Sequence, residues 1–154
     1  MNILIIEDRI EILRGIIRGL EDRRYQVDVA GSGREAIRKL SSTNHDLIVL
    51  DILLPKGEGN EDLDETYKQS YEGQPDVDMS IEKCMGMLIA YKIAEKKITT
   101  PVIILSAYVN SDVVVRLKNL EDKGLKIVDI LRKPESYERI MDAIELALKT
   151  NQQM

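Results

Sequence analysis

The sequence predicts an α/β fold with a doubly wound parallel sheet, and three observations support this prediction. Five short apolar runs alternate with segments that carry apolar residues at helical spacing. Two of these runs, at 47–50 and 101–107, are apolar on both faces, which is typical of strands in the centre of a sheet covered by helices. Polar and charged side chains follow the runs directly, at the edge where such sheets bind ligands.

The elements of the first half follow from two periodicities. The run NILII, from Asn2 to Ile6, predicts a buried strand, and the alternating residues from Tyr25 to Ala30 predict a half-buried or edge strand. A helix is predicted between them from the helical spacing of Ile10, Leu13, Ile17 and Leu20. The sequence GSG around Ser32 indicates a turn, with Ser32 as the N-cap of a second helix. The third strand is predicted from HDLIVL, at 45–50.

The second half continues the alternation. A third helix is predicted from a stripe formed by Ile81, Cys84, Leu88 and Tyr91. The fourth strand, from Pro101 to Ala107, is followed by a helix that begins at an Asn110 or Ser111 cap and stops at Gly124. A fifth strand, at 125–131, precedes a last helix with Pro134 at its start. One face of that helix is predicted to carry Tyr137, Ile140, Met141, Ile144 and Leu148.

Composition excludes several classes of protein. The 154 residues suit one domain, and no apolar run approaches the ~18 residues needed to span a bilayer. The first strand meets Glu7 and Asp8 at once, which leaves no room for a signal peptide. The single cysteine, Cys84, permits neither an internal disulfide nor a cysteine-based zinc site, and it is interpreted as a core residue. The net charge of −5 argues against a nucleic-acid-binding surface. We therefore expect a cytoplasmic protein without a membrane segment.

The segment 56–80 differs from the rest of the chain. It lacks periodicity and holds two basic against eight acidic residues, a net of −6. Structureless loops longer than ~12–15 residues are uncommon in compact domains. Two interpretations stay open: a solvated loop, or a partner-binding or gating element over the site described next.

Five chemically active side chains are predicted to meet at the carboxyl ends of the strands. Glu7 and Asp8 follow the first strand, Asp51 the third, Ser106 ends the fourth and Lys133 follows the fifth. Each has an ordinary structural explanation by itself, but clustered like charges cost energy unless something compensates them. Three carboxylates suit a hard divalent ion, above all Mg²⁺, while an ammonium and a hydroxyl suit a phosphoryl group. An aspartate can itself be the nucleophile and form an acyl phosphate.

These motifs resemble the receiver domains of two-component response regulators. The matching residues are Glu7–Asp8, Asp51 after LIVL, Pro55 four residues later, Ser106–Ala107 after PVIIL, and Lys133–Pro134. Five separate motifs in the right order make the resemblance specific, and it covers nearly the whole chain. It implies a flavodoxin-like fold with five strand–helix units and strand order 2-1-3-4-5.

The resemblance also implies the extent of the domain. We expect a single receiver domain over 1–150, with the acidic segment at about 56–80 inserted between the third strand and the third helix. Residues 151–154 would form a tail. The chain is expected to be either a stand-alone receiver or a part cut from a longer protein.

The resemblance assigns metal ligands. Asp8 and Asp51 would bind Mg²⁺ directly, with the Leu53 backbone carbonyl as a third protein ligand, and Glu7 would act through water. Mn²⁺ would also be accepted.

The phosphoryl chemistry follows from the same resemblance. Asp51 would accept the group from a sensor histidine kinase or a histidine phosphotransfer protein, Lys133 would pair with the phosphoryl oxygens, and Ser106 would move to hydrogen-bond them. The chain would be a signalling domain of a phosphorelay rather than an enzyme. It would act on an unknown downstream protein through the surface around the fourth and fifth helices and the fifth strand, without binding DNA itself.

The sequence departs from the family pattern in several places. Ile130 stands where an aromatic residue is common, three positions before Lys133. Leu53 and Tyr108 are bulky at positions that flank the path of hydrolytic water, which suggests a shielded, long-lived acyl phosphate. Thirty residues separate Pro55 from Gly86, the glycine matched to the opening of the third helix.

Two other classes of function remain open. One is a receiver-like interaction module that works without phosphate, and the complete set of Asp51, Ser106 and Lys133 argues against it. A Mg²⁺-dependent phosphatase with an aspartate nucleophile would share the acidic cluster, but it would typically place a second Asp where Leu53 stands. His45, the only histidine, is predicted to lie on the surface, far from the acidic edge.

Overall fold

The structure, a computed structural model, describes residues 1–55 and 85–152, which form one sheet flanked by helices. The strands are β1 (Asn2–Ile6), β2 (Gln26–Ala30), β3 (Leu47–Leu50), β4 (Val102–Ser106) and β5 (Ile127–Arg132). A short 3-10 helix (Ile10–Leu13) leads into the first of the helices, which are α1 (Arg14–Asp22), α2 (Gly33–Ser42), α3 (Met85–Glu95), α4 (Ser111–Asp122) and α5 (Tyr137–Gln152).

All neighbouring strands pair in parallel, in the order β2-β1-β3-β4-β5. This confirms the doubly wound, flavodoxin-like sheet and its 2-1-3-4-5 order. Ile6 at the end of β1 lies opposite Leu50 at the end of β3, and Ser106 at the end of β4 lies opposite Arg132 at the end of β5. Between the two pairs, Leu50 lies opposite Ile104, two residues before the end of β4. Because all five strands run in parallel, their carboxyl ends lie at one edge of the sheet, and the residues that follow them meet there.

Two apolar layers cover the sheet, and side chains alternate between them along each strand. Leu4 and Ile6 pack with α2, α3 and α4, whereas Ile3 and Ile5 pack with α1 and α5. β3 and β4 are buried over their whole length, as predicted for central strands. Each fully buried leucine or isoleucine stabilises the fold by about 1.5–3 kcal/mol. Both layers are built from aliphatic residues, which hold the sheet edge rigidly in place.

The predicted caps are confirmed. The Ser32 hydroxyl oxygen accepts a hydrogen bond from the Glu35 backbone N–H (3.2 Å) at the start of α2. The Asn110 Oδ1 atom accepts one from Val113 (2.9 Å) at the start of α4. Gly124, with φ of +110°, follows the end of that helix. Such side chains satisfy backbone donors that have no partner within the helix.

The start of α5 corrects a prediction. The helix begins at Tyr137 rather than at Pro134, and the Ser136 hydroxyl oxygen accepts a hydrogen bond from the Arg139 backbone N–H (3.1 Å). Serine is a strong N-cap, and its position determines where the helix starts. Pro134 therefore belongs to the connection after β5. Ile140, Met141, Ile144 and Leu148 are buried as predicted, while Tyr137 is 42% exposed.

The prediction for His45 is wrong. Its side chain is buried, and its Nε2 atom lies 3.4 Å from Asp28 Oδ2 on β2, across the start of β1. Asp28 also contacts the Lys39 ammonium. Burial raises the pKa of Asp28, but the hydrogen bonds from Lys39 and His45 outweigh it and hold this pKa below its ordinary value. The acidic partner on β2 explains how the ring is buried, and it could not be inferred from local sequence. His45 precedes β3 while Asp51 follows it, so the ring lies away from the acidic edge as expected.

Some predictions lie outside the described residues. They are the acidic segment at 56–80, the Ile81 and Cys84 positions of the third helix, and the last two residues of the tail. Among the helices that the structure describes, none combines the length and the apolar character needed to cross a bilayer.

Candidate functional site

Three carboxylates lie together at the carboxyl ends of β1 and β3. Oxygen atoms of Glu7, Asp8 and Asp51 lie within 4.8 Å of one another. The register that places Ile6 beside Leu50 explains this proximity, since Glu7 and Asp51 directly follow those two residues. Glu7 and Asp51 are 3% and 5% exposed, whereas Asp8 is exposed.

Lys133 joins the carboxylates from the end of β5. Its Nζ donates to Asp51 Oδ2 (3.1 Å) and to Glu7 Oε2. Its backbone N–H donates to the Ser106 carbonyl (3.0 Å), which fixes the connection after β5 against β4. The structure therefore brings together the ammonium and the three carboxylates that the sequence placed at the strand ends.

The electrostatics of the cluster leave it with an excess of negative charge. Burial raises the pKa of Glu7 to about 7; the hydrogen bond from Lys133 opposes this shift and the Asp51 charge adds to it. Burial lowers the pKa of Lys133, but its contacts with Glu7 and Asp51 outweigh that effect and raise it. One ammonium cannot neutralise three carboxylates, and the oxygen donors suit a hard divalent cation.

The Asp51 carboxylate is held in a defined orientation. Its Oδ1 atom accepts a hydrogen bond from the Leu53 backbone N–H (3.0 Å), and Oδ2 accepts the one from Lys133. Its own backbone N–H donates to the Ile6 carbonyl (3.0 Å). A carboxylate fixed by one donor on each oxygen is presented as a positioned nucleophile or metal ligand.

Ser106 is fully buried at the end of β4. Its hydroxyl oxygen accepts a hydrogen bond from the Tyr108 backbone N–H (3.1 Å), so the hydroxyl is engaged with the loop that follows its strand. An accepted bond of this kind leaves the hydroxyl hydrogen able to donate.

The residues that depart from the family pattern occupy different surroundings. The Leu53 side chain is 37% exposed, whereas Tyr108 and Ile130 are half-buried against the layer that contains α3 and α4. The Leu53 carbonyl as a metal ligand and the long-lived acyl phosphate stay predictions.

Gly86 lies against the backbone of the Asp51 segment. Its N–H donates to the Ile52 carbonyl (3.1 Å), and the Met85 N–H donates to the Leu54 carbonyl (3.2 Å). A Cβ atom on Gly86 would overlap the Asp51 backbone oxygen and lie 2.5 Å from the Ile52 Cα. The resemblance matched Gly86 to the start of the third helix. The sequence did not indicate that this residue packs against the backbone of the segment after β3.

Sequence reasoning also missed a groove beside Lys133. A cavity of about 560 Å³ lies between the start of α1 and the connection from β5 to α5. Its lining is mostly apolar and comprises Ile12, Leu13, Gly15, Ile16, Leu105, Ala107, Lys133, Pro134, Glu135, Tyr137 and Ile140. Ile12 is 57% exposed. The sequence indicated this exposed apolar residue only in one way: Ile12 does not belong to the helically spaced set of Ile10, Leu13, Ile17 and Leu20 that faces the core.

Comparison with protein families and with curated proteins finds similarity to response regulators and transcriptional regulatory proteins. A family model described as the response regulator receiver domain matches residues 3–75. The chain is 40% identical over 60 residues to Response regulator ArlR of Staphylococcus haemolyticus, covering 39% of this chain and 27% of that protein. It is 41% identical over 60 residues to Transcriptional regulatory protein ResD of Bacillus subtilis, covering 39% and 25%. These matches thus span about a quarter of the relatives' lengths.

Solved structures match over almost the entire chain. The signal receiver domain of a putative Luxo repressor protein from Vibrio parahaemolyticus has a TM-score of 0.69 at 26% identity, covering 99% of this chain and 92% of that one. A CheY-like response regulator receiver domain protein from Methanospirillum hungatei JF-1 has a TM-score of 0.71 at 20% identity, covering 99% and 96%. The second likeness concerns the fold alone.

Proposed function

We propose that this chain is a receiver domain of the response regulator family and that it accepts a phosphoryl group on Asp51 from a histidine kinase or a histidine phosphotransfer protein. The observation that carries the proposal is the buried Asp51 carboxylate, which Lys133 contacts and which lies beside Glu7 and Asp8. Receiver domains of this kind are signalling domains rather than classical enzymes.

The transfer is a nucleophilic substitution at phosphorus. An Asp51 carboxylate oxygen attacks the phosphorus, an O–P bond forms, and the P–N bond to the donor histidine breaks with its electron pair left on the imidazole nitrogen. A carboxylate that is already ionised needs no general base. Lys133 offsets the charge of the phosphoryl oxygens, and the Ser106 hydroxyl donates its hydrogen to one of them. The acyl phosphate is the signal.

The cluster fits Mg²⁺, and Mn²⁺ by the same chemistry. Asp8 and Asp51 would hold the ion directly, the Leu53 backbone carbonyl would be the third protein ligand, and Glu7 would act through water. When bound, the ion neutralises carboxylate and phosphoryl oxygens. The close approach of three carboxylate oxygens supports this assignment.

Mg²⁺ is expected to stabilise the fold, and Asp8→Asn is expected to remove most of that effect. Ligand that binds only the folded state at 100 times its Kd stabilises by about 2.7 kcal/mol. Asp8 is exposed, so its substitution should leave the fold intact. Thermal unfolding at increasing Mg²⁺ concentration measures the effect, with Asp122→Asn, an exposed acid at the end of α4, as control. An equal Mg²⁺ response in wild type and Asp8→Asn would contradict the ligand set.

The same titration at pH 6 and pH 8 gives a second test. With a pKa of about 7, Glu7 is mostly protonated at pH 6 without metal, and its proton competes with the cation. Mg²⁺ affinity should therefore rise with pH, and Glu7→Gln should flatten the dependence. Without Mg²⁺ the sign is opposite: a carboxyl with a raised pKa makes the protein less stable as pH rises from 4.5 through 7.

The apolar groove beside Lys133 supports a protein phosphodonor. It adjoins the acceptor site, and exposed Ile12 on its rim offers apolar surface to a partner. We expect Ile12→Asp to slow transfer from a purified histidine kinase that phosphorylates the wild type by about tenfold or more, since one buried apolar contact becomes an unpaired charge. Labelling by acetyl phosphate should be unchanged. Leu146→Asp, at a more exposed residue on α5 away from the groove, is the control. Equal rates of transfer from the kinase to the two variants would exclude the groove as the binding surface of the phosphodonor.

The proposal also covers the extent of the domain, the surface that contacts the downstream protein and the cellular location. The domain extends over 1–150, and its last helix, α5, continues through the next two residues to Gln152. Phosphorylation acts on a downstream protein through the surface formed by α4, β5 and α5. Its net charge of −5 favours protein contacts over direct DNA binding by this domain. We infer a cytoplasmic location, because the donor histidine is itself phosphorylated from ATP, which is available in the cytoplasm.

A further inference from the structure

The loop between β4 and α4, residues 107–110, is attached to the site at two points. At one, the Tyr108 N–H donates to the Ser106 hydroxyl oxygen (3.1 Å). At the other, the Arg132 guanidinium donates to the Val109 carbonyl. The loop ends at Asn110, which caps α4. Its arrangement therefore determines both the surroundings of the Ser106 hydroxyl and the start of α4.

Arg132 occupies a central position between these groups. It lies directly opposite Ser106 in the pairing of β4 with β5, and it precedes Lys133, which contacts Asp51. The Lys133 N–H donates to the Ser106 carbonyl (3.0 Å). One residue thus connects the end of β5, which carries the phosphoryl-pairing ammonium, with the far side of the β4–α4 loop.

We propose that Arg132 is a positioning residue that holds the β4–α4 loop in its resting arrangement and thereby couples phosphorylation of Asp51 to the start of α4. The proposal rests on the function proposed for Asp51. When the Ser106 hydroxyl turns to a phosphoryl oxygen, its contact with the Tyr108 N–H weakens, and the hydrogen bond from Arg132 to the Val109 carbonyl continues to restrain the loop.

The hydrogen bond between the Arg132 guanidinium and the Val109 carbonyl can be made or broken at a small difference in free energy, as a loop with two arrangements requires. Arg132 is exposed, so its guanidinium can exchange the Val109 carbonyl for water at small cost. The Val109 side chain is buried, which favours the resting arrangement of the loop. An equilibrium balanced in this way responds to a modest bias from the site.

The test compares Arg132→Met with wild type by amide NMR of residues 107–113, before and after treatment with acetyl phosphate and Mg²⁺. Loss of one hydrogen bond from a charged donor should shift the loop equilibrium by about threefold to tenfold. The amide shifts of untreated Arg132→Met should therefore move part of the way towards those of treated wild type, and its remaining phosphorylation-induced shifts should be smaller than those of wild type. Arg132→Lys, which keeps a donor, should restore part of the response. Arg139→Met removes another guanidinium that contacts β5, through Asp129, and should behave as wild type.

Phosphoryl uptake, followed by mass spectrometry, separates the possible failures. If Arg132→Met takes up the phosphoryl group and its loop shifts match those of wild type, the role of Arg132 is wrong while the function of Asp51 stands. If wild type takes up no phosphoryl group, the proposed function fails, and the coupling role fails with it.

Discussion

Asp51→Asn is expected to abolish phosphoryl uptake from both acetyl phosphate and a protein donor. The amide oxygen is a far weaker nucleophile than the carboxylate, and catalytic nucleophiles are the positions where substitution costs most. The fold should survive, because an asparagine Oδ1 can still accept the hydrogen bond from the Leu53 N–H. Lys133 keeps its contact with Glu7. Mass spectrometry of treated protein measures the result, and the wild-type adduct should be stable in acid and labile in base.

Asp129→Asn provides the matched control for this loss. Asp129 is a half-buried acid on β5 whose carboxylate contacts Arg139 (3.0 Å), away from the cluster at the strand ends. Its substitution removes the same charge without touching the nucleophile, so uptake should equal that of wild type. Equal labelling of Asp51→Asn and wild type would move the phosphoacceptor to another residue. Loss of labelling in both variants would indicate a general effect of charge.

The fold and the centre of the site were predictable because they depend on the local spacing of apolar residues, which can be read without knowing the tertiary contacts. Period-two and helical spacing identified the strands and helices. The carboxyl ends of parallel strands lie at one edge of the sheet, which brings Glu7, Asp51 and Lys133 together. The strand order did not follow from periodicity. It was implied by the resemblance, and the pairing of the strands confirms it.

What sequence reasoning missed depends on contacts between distant residues. His45 is buried because Asp28, on another strand, accepts its ring, and no local pattern indicates that partner. α5 starts later than expected because the Ser136 hydroxyl caps it. The groove forms where α1 meets the connection after β5, and the Arg132 guanidinium reaches a carbonyl 23 positions away in the chain. Such features follow from packing rather than from propensity.

Gly86→Ala is expected to destabilise the protein by about 3 kcal/mol or more, at the upper end of the effects of overpacking. The new Cβ would overlap the Asp51 backbone oxygen and lie 2.8 Å from the Asp51 carbonyl carbon. These are backbone atoms of the segment that carries the nucleophile, so they cannot move aside as a flexible side chain would. Chemical denaturation measures the loss, and Mg²⁺ binding should weaken with it because the Leu53 carbonyl and the Asp51 carboxylate lie on the displaced segment.

Gly15→Ala isolates this steric effect from helix propensity. Gly15 lies in α1, and a Cβ built on it meets no atom within 4 Å. Alanine should therefore stabilise the protein by about 0.5–1 kcal/mol, the ordinary difference between the two residues inside a helix. Both substitutions add one methyl group to a helical glycine, so opposite signs would assign the loss at Gly86 to its contact with the Asp51 segment. If Gly86→Ala proved as stable as Gly15→Ala, α3 would not lie against that segment as described, and the support that it gives to the phosphoacceptor would have to come from elsewhere.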